Sequence, residues 1–373
     1  MALALYRKYR PKLLSDLLGQ ETNVEILKNA ARQNRLGHAY LFYGPRGTGK
    51  TTTARLIAKL LNCERRHEDE KFRQSGEPCN ECRSCREVDS NASFDVMEID
   101  AASNRGIDEI RNLKESIKVS PVSNRFKVYI IDEAHQLTKA AADALLKTLE
   151  EPPAHAVFIL ATTEYEKLPA TITSRVQRFL FKKLPKTKIM EKLAAIAAAE
   201  KIDIEPSALE LVAAASEGSL RDAESLLDQI GSFGSTIDLK TAERLTGRTG
   251  LKKIEEFAEL LLKNDLKGSL EYISSINEEG HNLVQFVKDL IHHLRKVLSL
   301  RLNPGLEKIF TLELTNEEIV RLKNLTVHGD TVKTIKLLKS LIRAYSEMRY
   351  SPFLSVPLEI ALIENLESVS ESR

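Results

Sequence analysis

The chain has 373 residues, enough for two or three domains of ordinary size. With 42% hydrophobic and 29% charged residues, it is excluded as a whole from the collagen-like, disordered and disulfide-scaffold classes. Lys and Arg number 55 against 53 Asp and Glu, a formal charge of +2, so any contact with nucleic acid has to come from a local patch. No apolar run approaches the roughly 18 residues that span a bilayer. The first ten residues carry apolar side chains before basic ones, the reverse of a secretory signal. A cytoplasmic protein, with no membrane contact, is expected.

Short apolar, β-rich runs alternate with helical stretches up to about residue 184. The predicted strands are 39–43, 94–99, 126–131, 156–161 and 178–181. Each is apolar almost throughout, as parallel strands covered by helices on both faces require. Between the first two lie a predicted helix, 51–62, and the chain's four cysteines, Cys63, Cys79, Cys82 and Cys85. Cys63-x15-Cys79-x2-Cys82-x2-Cys85 offers four soft ligands in a short span of a reducing compartment, which favours a metal over disulfides. Structural Zn2+ fits four thiolates with no open position. An iron–sulfur cluster is the competing reading, although the run lacks the usual bacterial continuation. A further helix, 138–151, ends at Pro152-Pro153.

The β signal disappears from Leu184-Pro185 onward. Short helices punctuated by Gly218, Gly231 and Gly234 are expected over 186–246. Longer amphipathic helices follow, broken at Asn264-Asp265, Gly280-His281-Asn282, Asn303-Pro304-Gly305 and His328-Gly329-Asp330.

Gly44-Pro45-Arg46-Gly47-Thr48-Gly49-Lys50-Thr51 fits the phosphate-loop pattern at every fixed position, after a predicted strand and before a predicted helix. Glycines let backbone N–H groups turn towards phosphates, and the helix N-terminus adds partial positive charge. Lys50 is expected on the β and γ phosphates and Thr51 on Mg2+. Placing that ion takes a second element, which the strand ending at Asp132-Glu133 supplies: Asp132 for the Mg2+ shell and Glu133 to polarise an attacking water. At the end of the next strand Thr163, or else Thr162, faces the same crevice and is a candidate partner of the γ-phosphate or the water. In Ser219-Leu220-Arg221-Asp222 the acid is explained by helix capping, whereas Arg221 is a cation in a first helical turn that a nearby anion would offset.

These motifs resemble the AAA+ ATPases, and within them the gamma/tau family of bacterial clamp-loader motors. The resemblance is carried by Tyr6-Arg-Lys-Tyr-Arg10-Pro11, Leu18-Gly-Gln-Glu21, the phosphate loop, the cysteines, Ile131-Asp-Glu-Ala-His135, Leu146-Lys-Thr-Leu-Glu-Glu-Pro152, Ser174-Arg175 and Gly218-Ser-Leu-Arg-Asp222. It implies an α/β P-loop AAA+ ATPase domain, a parallel five-stranded sheet with helices on both faces, over 1–184 with a cysteine knob at 63–85. A small helical lid domain over 185–246 and an all-α collar domain over 247–373 would follow. Arg175 looks like an arginine finger acting in trans, although Val176 stands where the family has Cys, and Arg221 looks like a second sensor of nucleotide. Tyr6, Arg7, Arg10, Pro11, Leu18 and His38 are similar to the residues lining the adenine pocket, so the nucleotide set runs through them and from Gly44 to Thr52.

Arg105, Lys147, Lys167 and Thr171 fall where the family tracks a DNA strand through its phosphates. The implied cofactors are ATP, Mg2+ and Zn2+. The implied partners are delta and delta-prime subunits, further gamma/tau copies, the beta sliding clamp and primed DNA. The competing classes are another AAA+ DNA remodeller and a non-hydrolysing structural clamp-loader subunit.

Overall fold

The computed structural model describes residues 3–103, 113, 115–234, 236–311 and 314–366. The chain divides into two compact units, one of Met1–Leu184 with Gly218–Asp222, the other of Pro185–Glu217 with Ala223–Arg373. The segment Gly218–Asp222, expected within the lid, therefore packs with the first unit. Backbone contacts hold it there: Leu220 N–H donates to Gly47 O (3.2 Å) and Leu184 N–H to Gly218 O (3.1 Å).

The first unit is built on five parallel strands: β1 (Ala39–Tyr43), β2 (Val96–Asp100), β3 (Lys127–Asp132), β4 (Ala156–Thr162) and β5 (Gln177–Leu180), in the order β2-β3-β4-β1-β5. Alternate residues face opposite sides of a strand, and both sides are covered. Tyr40, Phe42, Val128, Ile130 and Ile159 pack on Leu27, Ala31, Leu56, Ile57 and Leu60 of the helices Glu21–Arg32 and Lys50–Asn62. Leu41, Tyr129, Ile131, Phe158 and Leu160 pack on Ala141, Leu145 and Leu149 of the helix Lys139–Glu150. That helix starts where Thr138 accepts from Ala141 N–H (3.3 Å), the side-chain cap that frees no donor into the core.

Two strands depart from the expected burial. β2 and β5 are only partly covered, and Phe94, expected inside β2, lies outside it and is 79% exposed. Both are edge strands with a neighbour on one side only, so less of each surface is enclosed.

In the second unit, the long helix Leu283–Leu302 buries Leu283, Phe286, Val287, Leu290, His293, Leu294, Val297 and Leu300, the three- and four-residue spacing of a core-facing stripe. Phe257 packs against both Phe286 and Tyr272, with ring centroids 5.4 and 5.5 Å away. The predicted breaks are helix starts. Asp265, Asn282 and Asp330 accept from Gly268, Gln285 and Lys333 N–H groups at 2.9, 3.0 and 2.9 Å. Lys186 Nζ bridges Glu210 (2.9 Å) and Glu318 (2.5 Å), so the buried Glu318 carboxylate is compensated. Among the described residues no helix is long and apolar enough to cross a membrane.

Candidate nucleotide-binding site and metal centre

The sheet order sets the C-terminal ends of β3, β4 and β1 side by side. Tyr43 is in register with Thr162, so the phosphate loop, Thr163 and the acids after β3 emerge along one edge. Gly44 N–H donates to Thr162 O (3.2 Å), and Phe181 N–H to Tyr43 O (2.8 Å), fixing the loop's departure. A side chain at Gly44 would place its Cβ 2.1 Å from Phe181 O, and one at Gly47 would lie 1.8 Å from Ser219 Oγ. Both glycines have positive φ, so the loop closes on backbone that no larger residue allows.

Within the loop Thr48 Oγ1 donates to Pro45 O (2.8 Å), and the Lys50 ammonium donates to Gly44 O and Pro45 O, both at 2.7 Å. Lys50 is buried. Burial lowers its pKa, and the nearby Glu133 and Asp132 carboxylates work against that. Thr51 Oγ1 donates to Asp132 Oδ2 at 2.7 Å, which joins the two elements expected to share Mg2+. Thr52 follows in the first turn of the same helix. Glu133 sits in the left-handed region, at φ 47° and ψ 45°. For a non-glycine residue this is a strained setting of the kind that functional sites retain. Its carboxylate accepts from Thr163 Oγ1 (3.0 Å) and Thr163 N–H (3.3 Å) and lies 3.4 Å from His135 Nδ1. Of the two threonines expected here, Thr163 is thus the one on the acid, while Thr162 Oγ1 faces His135 Nδ1 at 2.9 Å. His135, present only as part of a motif, is a site residue that sequence reasoning passed over. Its Nε2 lies 3.1 Å from Glu164 Oε1.

Arg221 lies on the first turn of the helix Leu220–Gly231, its guanidinium 5.0 Å above the Tyr6 ring and its Cβ 3.4 Å from where a Gly47 Cβ would lie. Asp222 N–H caps onto Ser219 Oγ (3.3 Å), as the spacing predicts, and Asp222 also meets Arg46 at 3.2 Å. Arg10 is half-buried; burial and the neighbouring charges of Arg55, Arg221 and Arg7 lower its pKa. Concentrated positive charge beside a glycine cradle fits an anionic ligand.

Pro11 and Leu18 are half-buried, but it is Leu17 whose Cδ2 lies 3.5 Å from a Gly49 Cβ, and Gln20 whose amide reaches Thr48 O (3.5 Å) and Lys182 O (2.9 Å). His38 lies apart from the phosphate loop. It is exposed and precedes β1, whereas the loop leaves the other end of that strand, about 16 Å away for five extended residues. Arg175 also lies at that far edge, just before β5, whose Gln177 is in register with Tyr40. Its guanidinium is held by Glu150 and by Thr171 O. It does not reach the phosphate loop of its own chain.

Lys147, Lys167 and Thr171 are exposed, and Lys167 pairs with Glu164 at 2.8 Å. Arg105 lies outside the described residues.

The sulfur atoms of Cys63, Cys79, Cys82 and Cys85 all lie within 4.8 Å of one another, with Cys79 and Cys85 at 4.0 Å. A tetrahedral ion with 2.3 Å metal–sulfur bonds needs about 3.8 Å between sulfurs, so the four fit one ion. Hydrogen bonding from Cys85 brings the Cys63 thiol down to about 5, and the Cys85 proton is held correspondingly firmly. Backbone N–H groups of Cys79 and Cys82 point at Cys63 Sγ (3.4 Å) and Cys79 Sγ (3.2 Å); each such bond favours thiolate, although at Cys79 burial outweighs it and the thiol's pKa is raised. His67 turns to Leu61 O (2.8 Å) instead of joining the cluster. The charged stretch around it is not simply solvated, because Arg66 is buried on Leu60 O and Ala31 O.

Residues 19–185 match the family described as DNA polymerase III, delta subunit, and residues 188–236 match the DNA polymerase III clamp loader subunit, ATPase lid domain. DNA polymerase III subunit gamma of Buchnera aphidicola is 32% identical over 98% of this chain and 99% of its own length. The chain belongs to the DNA polymerase III gamma/tau family. The tau subunits of Bacillus subtilis and Escherichia coli are 38% and 35% identical over 99% and 97% of this chain. The chain spans 64% and 55% of those two gamma/tau relatives. The solved Thermotoga maritima RuvB Holliday junction branch migration motor is 19% identical, covers 69% of this chain and 79% of its own, and has a TM-score of 0.46. With its parallel sheet, phosphate loop and lid, this gamma/tau chain has the AAA+ ATPase fold.

Proposed function

We propose that this chain is the ATP-hydrolysing motor subunit of a DNA polymerase III clamp loader, which places a ring-shaped sliding clamp on primed DNA and itself makes no DNA. The observation that carries the reading is the Thr51–Asp132 hydrogen bond, with the Lys50 ammonium near the Glu133 carboxylate. It joins the two halves of a phosphate-transfer site from residues 81 positions apart. Lys50 and the loop amides bind the phosphates, and Thr51 and Asp132 would hold Mg2+. When bound, that ion supplies charge neutralisation on the phosphate oxygens. Glu133, kept in place by Thr163, takes a proton from the attacking water. Arg221 and Tyr6 close over the nucleotide, with Arg7, Arg10 and Pro11 beside the base. Arg175 acts on a neighbouring copy, since its own loop lies across the sheet.

The four cysteines hold structural Zn2+, with no ligand position left for chemistry. Lys147, Lys167, Thr171 and Arg105 are proposed phosphate-backbone contacts to DNA, without sequence readout. Delta and delta-prime subunits, further copies of this chain and the beta clamp are the proposed partners, in the cytoplasm.

The test is ATP turnover with primed DNA, clamp and the other subunits added in turn. Turnover that rises with clamp and primed DNA and is abolished in Lys50→Ala supports the motor. Turnover driven by branched DNA alone would replace it with a DNA remodeller. No turnover in any mixture would leave a structural subunit.

A further inference from the structure

Glu77 is a carboxylate only 8% exposed, two residues before Cys79. It accepts the backbone N–H of Leu14 at 2.7 Å and of Ser15 at 3.0 Å, and Lys28 Nζ from the helix Glu21–Arg32 meets it at 2.7 Å. Asn80, between Cys79 and Cys82, donates through Nδ2 to Lys12 O (3.1 Å) and accepts through Oδ1 from Lys59 Nζ (2.9 Å). Lys59 is itself 2% exposed and paired with Asp89. The cysteine knob thus grips the backbone of residues 12–15 at three points. A surface ornament would need none of them, and a buried carboxylate is retained only where its partners are fixed.

Residues 12–15 are the strap between two parts of the nucleotide site. Upstream is Tyr6, under the Arg221 guanidinium. Downstream are Leu17, against Gly49, and Gln20, on Thr48 O and Lys182 O. We propose that Glu77 and Asn80 are positioning residues for the nucleotide: through the strap, the cysteine knob sets where residues 6–11 meet the base. This rests on the nucleotide reading above and adds to it a task for the knob. Besides Leu17 and Gln20, the phosphate loop has anchors of its own in Thr162 of β4 and in the pairing of Phe181 with Tyr43 of β1. Loosening the strap should therefore weaken binding of base-bearing nucleotides and leave inorganic triphosphate unaffected.

The experiment uses the full chain with Glu77→Gln, which keeps the side chain's shape and an acceptor, and with Asn80→Ala as a second, partly exposed variant. Melting curves establish that both fold. Hydrogen exchange over residues 12–17 reads the strap, and titration reads the affinities for ATP and for tripolyphosphate. The expected result is faster exchange at Leu14 and Ser15, ATP binding weaker by about tenfold, and unchanged tripolyphosphate binding. Glu81→Gln, an exposed change in the same segment, should alter none of these. Faster exchange with unchanged ATP affinity overturns the proposal, as does equal loss for ATP and tripolyphosphate, which would mark general destabilisation. A wild-type chain that binds neither ligand removes the nucleotide reading itself, and this inference with it.

Discussion

Lowering the pH from 7.5 to 5 should loosen the helical unit through one side chain, His293. It lies on the apolar stripe of the helix Leu283–Leu302, is 7% exposed, and its Nε2 has no hydrogen-bond partner among the described residues. Burial depresses its pKa to about 4; Lys296 and Arg321 add to that effect and Glu318 opposes it. An unfolded chain takes the proton near pH 6.5. Its folded pKa is the lower one, so the stabilisation is complete above about pH 6.5 and is lost as the pH falls towards 4. Each unit in that window is worth about 1.4 kcal/mol, or about 2 kcal/mol between pH 6.5 and 5. The assay is urea unfolding followed by far-ultraviolet ellipticity, for wild type and His293→Leu at matched pH values. Titrations of groups not coupled to His293 cancel in the difference between the two, and leucine suits the stripe. The variant should gain about 2 kcal/mol relative to wild type on going to pH 5. A difference that stays constant across this range would refute the argument.

Glu133→Gln should keep nucleotide affinity within a few-fold while turnover falls by about 10² or more, measured by titration and phosphate release. Arg175→Ala should cut turnover by about 10³ in the assembled complex and leave the single chain's slow rate unchanged, which comparison of the two preparations would show. Cys82→Ser should lower the bound metal below one ion per chain and weaken the thiolate charge-transfer band of a cobalt-substituted sample. Elemental analysis of the wild type finding iron and sulfide would point to the cluster reading instead of zinc.

What could be read in advance was whatever depends on neighbours along the chain. The phosphate loop, the acids after β3 and the cysteine spacing are local patterns. So are the Asp265, Asn282 and Asp330 caps, each of which bonds an amide three residues on. His38 entered only through the family resemblance, which does not give its distance from the loop: it lies at the start of β1, and the phosphate loop leaves that strand's other end. The grip of Glu77 on Leu14 and Ser15 spans more than sixty residues and leaves no periodicity behind. Gln20 and His135 stood inside recognised motifs, yet their partners, Thr48, Lys182 and Thr162, come from other elements. Edge strands β2 and β5 looked like interior ones because composition reports apolarity, not the number of neighbours.

The location of Arg175 beyond the start of β5, with the glycine cradle beyond the end of β1, bears on symmetry. If that guanidinium completes a second copy's cradle, a two-fold axis would pair the two edges reciprocally, each copy lending one arginine and receiving one. A heterologous contact, donor edge to acceptor edge, would instead stack successive copies in one direction. An open row of that kind ends in one unfilled cradle and one unused arginine, whereas the reciprocal pair leaves neither.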